Sequence, residues 1–247
     1  MEKGAARRPA KTRCEGRWER EARAAGYSCI AGVDEAGRGS LFGPVFAAAV
    51  VLSPERPIRG LHDSKILEAE RREVLAQRIR ERAITWAVAA ADVFEIDRYN
   101  ILQASLLAMK RAIAGLSPPC DYLLLDAVRI PDLEVPQQPL IHGDGRCQCI
   151  AAASILAKTE RDSCLRRWHK VFPEYGLAHH KGYATEEHQA ALDKYGPTML
   201  HRFSFEPVRL ATQFPLWTGY DQREGLPTSS SETGDEREST AGAAAGA

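Results

Sequence analysis

The sequence predicts an α/β fold: a mixed sheet covered by helices, followed by a small C-terminal helical segment. Short apolar runs bounded by glycine, proline or polar residues alternate with stretches whose apolar residues recur at helical spacing. The first two runs are joined by a short glycine-containing segment, which predicts a hairpin, and helical stretches separate the later runs. With 247 residues, 44% of them hydrophobic, the chain can form one large domain, or one domain with a small appendage, around a packed core.

Each element follows from a local pattern. The five apolar runs predicted as strands are Cys29–Val33, Val45–Leu52, Thr85–Ala90, Tyr122–Leu125 and, more weakly, Pro139–His142. Two helices are predicted where apolar residues fall on one face. The first face holds Leu67, Val74, Leu75 and Ile79, and the second holds Leu102, Leu106, Met109 and Ile113. An alanine-rich helix begins at Ile150, and its small side chains allow close approach to a sheet. No strand is predicted after Trp168, so residues 169–210 are expected to form the helical appendage.

Charge divides the chain into three parts. Residues 1–30 carry eight Lys/Arg and four Asp/Glu, whereas residues 211–247 carry two Lys/Arg and six Asp/Glu. The middle is neutral, which argues against extensive non-specific coating of DNA. We therefore predict a basic N-terminal extension over 1–27, a folded domain over 28–212 and a disordered, acidic, low-complexity tail over 213–247.

The sequence also limits where the protein is expected to act. The sequence has no run of about 18 apolar residues, so no membrane span is predicted. The basic N-terminus is not followed by the apolar core of a secretory signal. Six cysteines without an export signal are expected to be reduced thiols in a cytoplasmic protein. Since no feature demands an oligomer, a monomer is expected.

Four acidic residues are the strongest candidates for chemistry. Asp34 and Glu35 follow the first apolar run and precede a Gly-Arg-Gly turn. Asp126 follows the run at Leu123–Leu125, and Asp144 lies between two glycines before the alanine-rich helix. Strand ends are where α/β sheets gather ligands, although helix N-capping is an alternative interpretation for Asp144 and for the Asp34-Glu35 pair.

Clustered carboxylates without an obvious nucleophile indicate metal-ion chemistry. Mg²⁺ and Mn²⁺ prefer carboxylate oxygens and relieve the repulsion between adjacent acids. Phosphodiester hydrolysis needs an activated water, a neutralised phosphate and a stabilised leaving oxygen. Two divalent ions about 3.5–4 Å apart can supply all three.

Several motifs in this order resemble the bacterial ribonuclease HII family, over about Ile30 to Val208. The motifs are GVDEAGRG, Asp63-Ser64-Lys65, NILQA from Asn100, LLLDA, Gly143-Asp144 followed by IAAASILAKTERD, YGLAHHKGYATEEH and HRFSF. The resemblance implies a ribonuclease H-like fold with a five-stranded mixed sheet. It also implies endonucleolytic cleavage of RNA in RNA–DNA hybrids and nicking on the 5′ side of single ribonucleotides embedded in duplex DNA, with 3′-hydroxyl and 5′-phosphate products. Roles in ribonucleotide removal and in DNA replication and repair are expected from it.

The resemblance places the catalytic and metal-binding acids on Asp34, Glu35, Asp126 and Asp144. Asp34 is expected to bridge two Mn²⁺ or Mg²⁺ ions, Asp144 to lie toward the attacking water, and Glu35 with Asp126 toward the leaving group. These roles are implied by the resemblance alone.

Substrate-binding residues are also implied by the resemblance. Gly37, Arg38 and Gly39 match the motif whose backbone reaches the 2′-hydroxyl, the group that distinguishes RNA from DNA. Tyr183 matches a tyrosine that packs on the next sugar, so that the enzyme reads an RNA-to-DNA step; an ordinary core aromatic is the alternative. Lys65, Lys181 and Arg202 are candidate phosphate contacts or, equally, solvated charges. His180, His188 and His201 match family positions and are expected to be structural.

The chain departs from the family pattern around Asp144. His142 stands where lysine is usual, and Cys147 and Cys149 stand where serine is common. These three residues suggest a zinc site, but Cys-x-Cys at a helix start is poor spacing for a tetrahedral set. An altered loop around Asp144 is the favoured interpretation.

Two other functions compete with the hybrid nuclease. One is a catalytically silent hybrid-binding module, because a fold does not fix function. The other is a different nuclease on a related fold, such as a junction resolvase, which would cut all-DNA substrates.

Overall fold

A computed structural model describes residues 14–213 of the chain. Its sheet has five strands: β1 (Ile30–Ala36), β2 (Val45–Leu52), β3 (Ala83–Ala91), β4 (Tyr122–Asp126) and β5 (Gln137–Leu140). The spatial order is β3-β2-β1-β4-β5. The β1–β2 and β2–β3 pairs are antiparallel, and the β1–β4 and β4–β5 pairs are parallel. The predicted hairpin and mixed sheet are therefore confirmed.

Helices cover both faces of this sheet and form the C-terminal segment. They are α1 (Arg17–Ala24), α2 (Ala69–Arg82), α3 (Val93–Ala114), α4 (Gln148–His169), α5 (Leu177–His180), α6 (Glu186–Tyr195) and α7 (Glu206–Gln213). Short 3₁₀ turns occupy Gly143–Gly145 and Pro173–Tyr175. Among the helices of residues 14–213, none has the length and apolar character that a membrane crossing needs.

The alternation of side chains along the central strands creates two cores. Ala31 and Val33 of β1 pack with α3 on one face of the sheet, while Ala48 and Val50 of β2 pack with α2 and α4 on the other. Three consecutive alanines lie in β2 and three more in the first turns of α4, so the helix lies close to the sheet.

Gly32 is where α4 comes closest to β1. A Cβ on Gly32 would lie 2.1 Å from the carbonyl carbon of Cys149, so only glycine admits the first turn of α4. Since residues alternate along a strand, Asp34 faces the same helix two positions later. This close packing brings the start of α4 to the acidic end of β1.

Some predicted boundaries and faces are wrong. The first strand does not end at Val33 but continues through Asp34 and Glu35 to Ala36, because these residues stay paired with β2. Leu102 is exposed because Asn100, at φ 68°, breaks α3 and restarts the helical repeat. Val74 is exposed as well, and Leu67 lies before α2 begins.

The predicted basic extension includes residues that join the folded body. Helix α1 buries Ala22 and Glu19 against the sheet domain. Residues 1–13 and 214–247 lie outside the described part of the chain, so the basic start and the acidic tail over 213–247 stay predictions.

Candidate active site

Three of the four predicted acids meet at the C-terminal ends of the central strands β1 and β4. Asp34 comes from β1, Asp126 from the end of β4 and Asp144 from the 3₁₀ turn before α4. One carboxylate oxygen from each lies within 4.8 Å of the others. Asp34 and Asp144 are only 4% and 6% exposed. The N-cap interpretations are wrong: Asp34 and Glu35 lie within a strand, and Cys147 occupies the N-cap of α4.

Burial and mutual repulsion make these carboxylates hard to ionise together. Burial raises the pKa of Asp34 well above its usual value, and the nearby Glu35 and Asp126 raise it further. Burial also raises the pKa of Asp144, with added repulsion from Asp63 and Asp126. A divalent cation among these oxygens would relieve both effects.

Glu35, the fourth predicted acid, lies beside this group rather than within it. Its Oε1 is 3.3 Å from the Nη1 atom of Arg38. Burial is the main cause that raises the pKa of Glu35; Arg38 opposes the shift and Asp126 adds to it. Glu35 is thus close enough to Asp126 to interact electrostatically, while its carboxylate pairs with the arginine of the Gly-Arg-Gly turn.

Neighbouring groups hold the three clustered carboxylates in place. The backbone N–H of Glu35 donates to Asp34 Oδ1 at 2.8 Å, and that of Gly143 donates to Asp126 Oδ1 at 2.7 Å. The Nζ of Lys65 lies 3.5 Å from Asp144 Oδ2 and partly offsets the raised pKa of that carboxyl. The predicted phosphate contact Lys65 therefore stands beside the acids, with an exposed ammonium.

Ser154 of α4 supports Asp34 from the helix side. Its side chain hydrogen-bonds Asp34 and partly offsets the rise in the pKa of that carboxyl. Its hydroxyl also lies 2.9 Å from the hydroxyl of Ser64, and both serines are buried. Sequence reasoning missed this pair, whose members are 90 positions apart, although the Asp63-Ser64-Lys65 motif was a signal.

The Gly-Arg-Gly turn is shaped by a buried arginine of α4. Gly37 has φ +99°, and a Cβ there would lie 2.0 Å from Nε of Arg161. The guanidinium of Arg161 donates to Ser40 Oγ at 2.6 Å and to the carbonyl of Lys181 at 3.0 Å. The sequence did not single out Arg161, because charged residues are rarely buried this completely.

Tyr183 stands next to this turn. It forms an isolated antiparallel bridge with Ser40, and a Cβ on Gly39 would meet its Cε1 at 3.9 Å. Arg161 and Lys158 lie over its ring, 5.5 and 5.8 Å from the centroid. At 38% exposure, Tyr183 is not an ordinary core aromatic. The turn and the ring together form an open surface that follows directly from β1.

Two other candidate phosphate contacts are oriented differently. The ammonium of Lys181 donates to the carbonyl of Ala178 in its own helical segment. Arg202 is fully buried and donates to the carbonyls of Gly43 and Arg38, both at 2.9 Å. Both interpretations of Arg202, phosphate contact and solvated charge, are therefore wrong; it fixes the backbone that carries the Gly-Arg-Gly turn.

The histidines of the C-terminal segment form a packed cluster. His188 and His201 are buried, with their Nε2 atoms 3.2 Å apart, and His180 stacks on His188. Burial, followed by the proximity of His188, lowers the pKa of His201 to about 3. These contacts fit the structural role expected for them.

This fold and site define a class of protein. A mixed sheet in the order 3-2-1-4-5, flanked by helices and carrying clustered acids on its central strands, is a ribonuclease H-like architecture. The solved ribonuclease H2 of Pyrococcus horikoshii OT3 superposes with a TM-score of 0.64 at 23% identity, over 75% of this chain and 98% of that one. A solved complex of Bst-RNase HIII with Mn²⁺ gives a TM-score of 0.61 at 19% identity, over 78% and 71%.

The sequence comparison is more specific. The family model for Ribonuclease HII matches residues 31–208, and the chain belongs to this family. It is 64% identical over 206 residues to the Ribonuclease HII of Solibacter usitatus (strain Ellin6076), over 83% of this chain and 90% of the relative. The family consists of metal-dependent endoribonucleases that cleave RNA in RNA–DNA hybrids. The predicted family, fold class and enzyme class are therefore confirmed.

Proposed function

We propose that this protein hydrolyses the RNA strand of RNA–DNA hybrids and also nicks duplex DNA on the 5′ side of a single embedded ribonucleotide. The products are a 3′-hydroxyl and a 5′-phosphate, and the cofactors are two Mn²⁺ or Mg²⁺ ions. The observation that carries the proposal is the convergence of Asp34, Asp126 and Asp144 from three separate elements to within 4.8 Å.

The chemistry of these side chains fits the proposed ions. The clustered atoms are carboxylate oxygens, the ligands that Mg²⁺ and Mn²⁺ prefer over sulfur or nitrogen. Asp34, Asp126 and Asp144 would hold the ions, with Glu35 at the edge of the site. The structurally similar Bst-RNase HIII has been solved in complex with Mn²⁺, one of the two proposed ions. When bound, such ions activate water and neutralise charge on the phosphate and the leaving oxygen.

The protein's own residues prepare the site for that chemistry. Backbone donors fix one oxygen each of Asp34 and Asp126, so their other oxygens can remain directed at a ligand. Packing of α4 on Gly32 excludes bulk water from beneath Asp34. Lys65 supplies an exposed positive charge beside Asp144, suited to a phosphate of the cut strand.

The neighbouring surface suits the proposed substrate. The 2′-hydroxyl needs a partner that approaches the ribose closely, and the backbone of Gly37 to Gly39 continues from the strand that bears Asp34. The half-exposed ring of Tyr183 lies beside Gly39 and can pack on the next sugar. A hydroxyl on that sugar would meet the ring, so a deoxyribose is favoured there.

Cleavage assays on three duplexes test this proposal. The duplexes are all-DNA, DNA with one ribonucleotide, and a full RNA–DNA hybrid, each assayed with Mg²⁺ and with Mn²⁺. We expect cutting of the last two, 5′-phosphate ends, and an intact all-DNA duplex. Equal cutting of the all-DNA duplex would support a general DNA nuclease instead. Binding without cleavage in either metal would support the silent binding module.

A further inference from the structure

A second group of metal-capable side chains lies on the far side of the loop that carries Asp144. It joins Glu19 of α1 to Cys147 and Cys149 at the start of α4, and all three are buried. One ligand atom from each lies within 4.8 Å of the others. The two sulfurs are 3.4 Å apart, and Cys147 Sγ is 3.5 Å from Glu19 Oε1.

The carboxylate of Glu19 is only half satisfied in this cluster. Its Oε1 accepts the backbone N–H of Cys149 at 2.8 Å. Its Oε2 is buried and has no hydrogen-bond partner among the described residues, although the residue is only 4% exposed. A buried carboxylate oxygen without a partner is costly, which indicates a cation or a proton at this position.

Cys14 lies beside this cluster, but it is not one of the three residues whose ligand atoms come within 4.8 Å of one another. The N–H of the next residue, Glu15, donates to the carbonyl of Arg146 at 3.1 Å, so this segment runs beside Cys147 as an isolated parallel bridge. Burial raises the pKa of Cys14, and the proximity of Cys147 and Glu19 raises it further. The thiol therefore shares the electrostatic environment of the cluster.

We propose that Glu19, Cys147 and Cys149 form a zinc site separate from the catalytic acids. Two sulfurs and one carboxylate oxygen suit Zn²⁺, whose fourth position a water can fill, whereas the all-oxygen cluster at Asp34 suits Mg²⁺ or Mn²⁺. Zinc binding replaces the thiol protons and gives the unpartnered oxygen of Glu19 a cation.

The sulfur geometry favours a metal over a disulfide. A disulfide would bring the sulfurs of Cys147 and Cys149 to about 2.05 Å. Two sulfurs bonded to one tetrahedral zinc lie about 3.8 Å apart, given Zn–S bonds of about 2.3 Å. The observed 3.4 Å is a hydrogen-bond distance between two free thiols, and only a small movement separates it from the second value. All six cysteines of the chain are free thiols.

The ligand set differs from the one that the sequence suggested. His142 is exposed, with φ 55°, and is not part of the cluster. Glu19 takes its place from a helix 128 positions before Cys147, a separation that no local spacing rule detects. A metal here would tie α1 to the start of α4, where Cys147 stands three residues after Asp144.

Zinc and cobalt titrations of the full-length, reduced protein test the site. All measurements use the Asp34→Asn background, which weakens ion binding at the catalytic acids and makes the result independent of cleavage. Zn²⁺ is titrated against a colorimetric chelator, and Co²⁺ is titrated to detect thiolate-to-cobalt charge-transfer absorption. We expect one tightly bound zinc per chain, an intense charge-transfer band, and a higher melting temperature with zinc.

Three further substitutions separate the site from general thiol chemistry. Cys149→Ser should lower zinc affinity by at least about tenfold and weaken the charge-transfer band, since one thiolate is lost. Glu19→Gln keeps the side chain's shape, so it should fold and still lose zinc affinity. Cys120→Ser, at a half-buried cysteine elsewhere, should match the background. The absence of a charge-transfer band in folded protein, or equal zinc affinity in all four proteins, would overturn the proposal.

Discussion

The contact between Gly37 and Arg161 can be tested by replacing the glycine with alanine. At φ +99° a non-glycine residue costs of order 1–3 kcal/mol. The new Cβ would also lie 2.0 Å from Arg161 Nε, so the guanidinium must move. Losing one of its hydrogen bonds, to Ser40 or to the Lys181 carbonyl, costs roughly 1.5–3 kcal/mol more. We expect Gly37→Ala to lower the free energy of unfolding by about 2.5–6 kcal/mol.

Gly26 provides a matched control for this substitution. It has the same φ of +99°, but a Cβ there would meet nothing within 4 Å. Gly26→Ala should therefore lose only the backbone cost of order 1–3 kcal/mol. Urea unfolding of both variants, at unchanged slope, measures the difference. Equal losses would refute the argument that buried Arg161 fixes the turn, because the two variants differ in that contact.

The same turn predicts a loss of function. The folded fraction of Gly37→Ala should cut a duplex with one ribonucleotide more slowly than wild type, since the turn shifts relative to Tyr183. Gly26→Ala lies at the end of α1 and should retain wild-type cleavage.

Three other substitutions test separate parts of the site. Tyr183→Phe should keep most cleavage of a single-ribonucleotide duplex, whereas Tyr183→Ala should lose about tenfold or more because stacking area is removed; the reverse ranking would implicate the phenol oxygen. Lys65→Ala removes a positive charge that lowers the pKa of Asp144, so the acid limb of the pH–rate profile should move to higher pH. The control is Lys194→Ala on α6, which should leave the profile unchanged. In EDTA, Asp34→Asn should stabilise the protein near pH 7. The pKa of Asp34 is raised in the folded state, so the metal-free wild type loses stability as the pH rises above the usual pKa of aspartate. A urea midpoint that does not rise in the variant would contradict this.

The sheet was predictable because its strands carry strong local signals. The hairpin of β1 and β2 and the later strand–helix alternation gave the mixed sheet. The hydrophobic pattern misplaces the end of β1 because polar residues mimic a strand boundary, whereas Asp34 and Glu35 remain paired with Ala48 and Ala47. Catalytic side chains often occupy strand positions that a purely hydrophobic pattern excludes.

The supporting residues of the site could not be predicted from local patterns. Arg161 and Arg202 are fully buried, and their partners are carbonyls and a hydroxyl far away in the sequence. Composition and periodicity treat such charges as solvent-exposed. The break of α3 at Asn100 shows the same limit, because one residue at positive φ resets the helical phase and exposes Leu102.

The four acids were found from motifs, but their arrangement needed the fold. Sequence placed all four together, whereas the structure clusters Asp34, Asp126 and Asp144 and pairs Glu35 with Arg38. The parallel β1–β4 pairing brings Asp126 to Asp34 across 92 positions. No rule based on sequence spacing predicts that strand pairing, so the individual roles of the four acids stay a proposal.

The most direct test of the account is single-turnover cleavage of a duplex with one ribonucleotide by Asp34→Asn. Losing the central carboxylate should slow cleavage by roughly 100-fold or more in Mg²⁺ and in Mn²⁺, while binding measured in Ca²⁺ is retained. Asp193→Asn, at an exposed carboxylate of α6, should cut at the wild-type rate. If Asp34→Asn also cut at the wild-type rate, the carboxylate cluster would not be the catalytic centre.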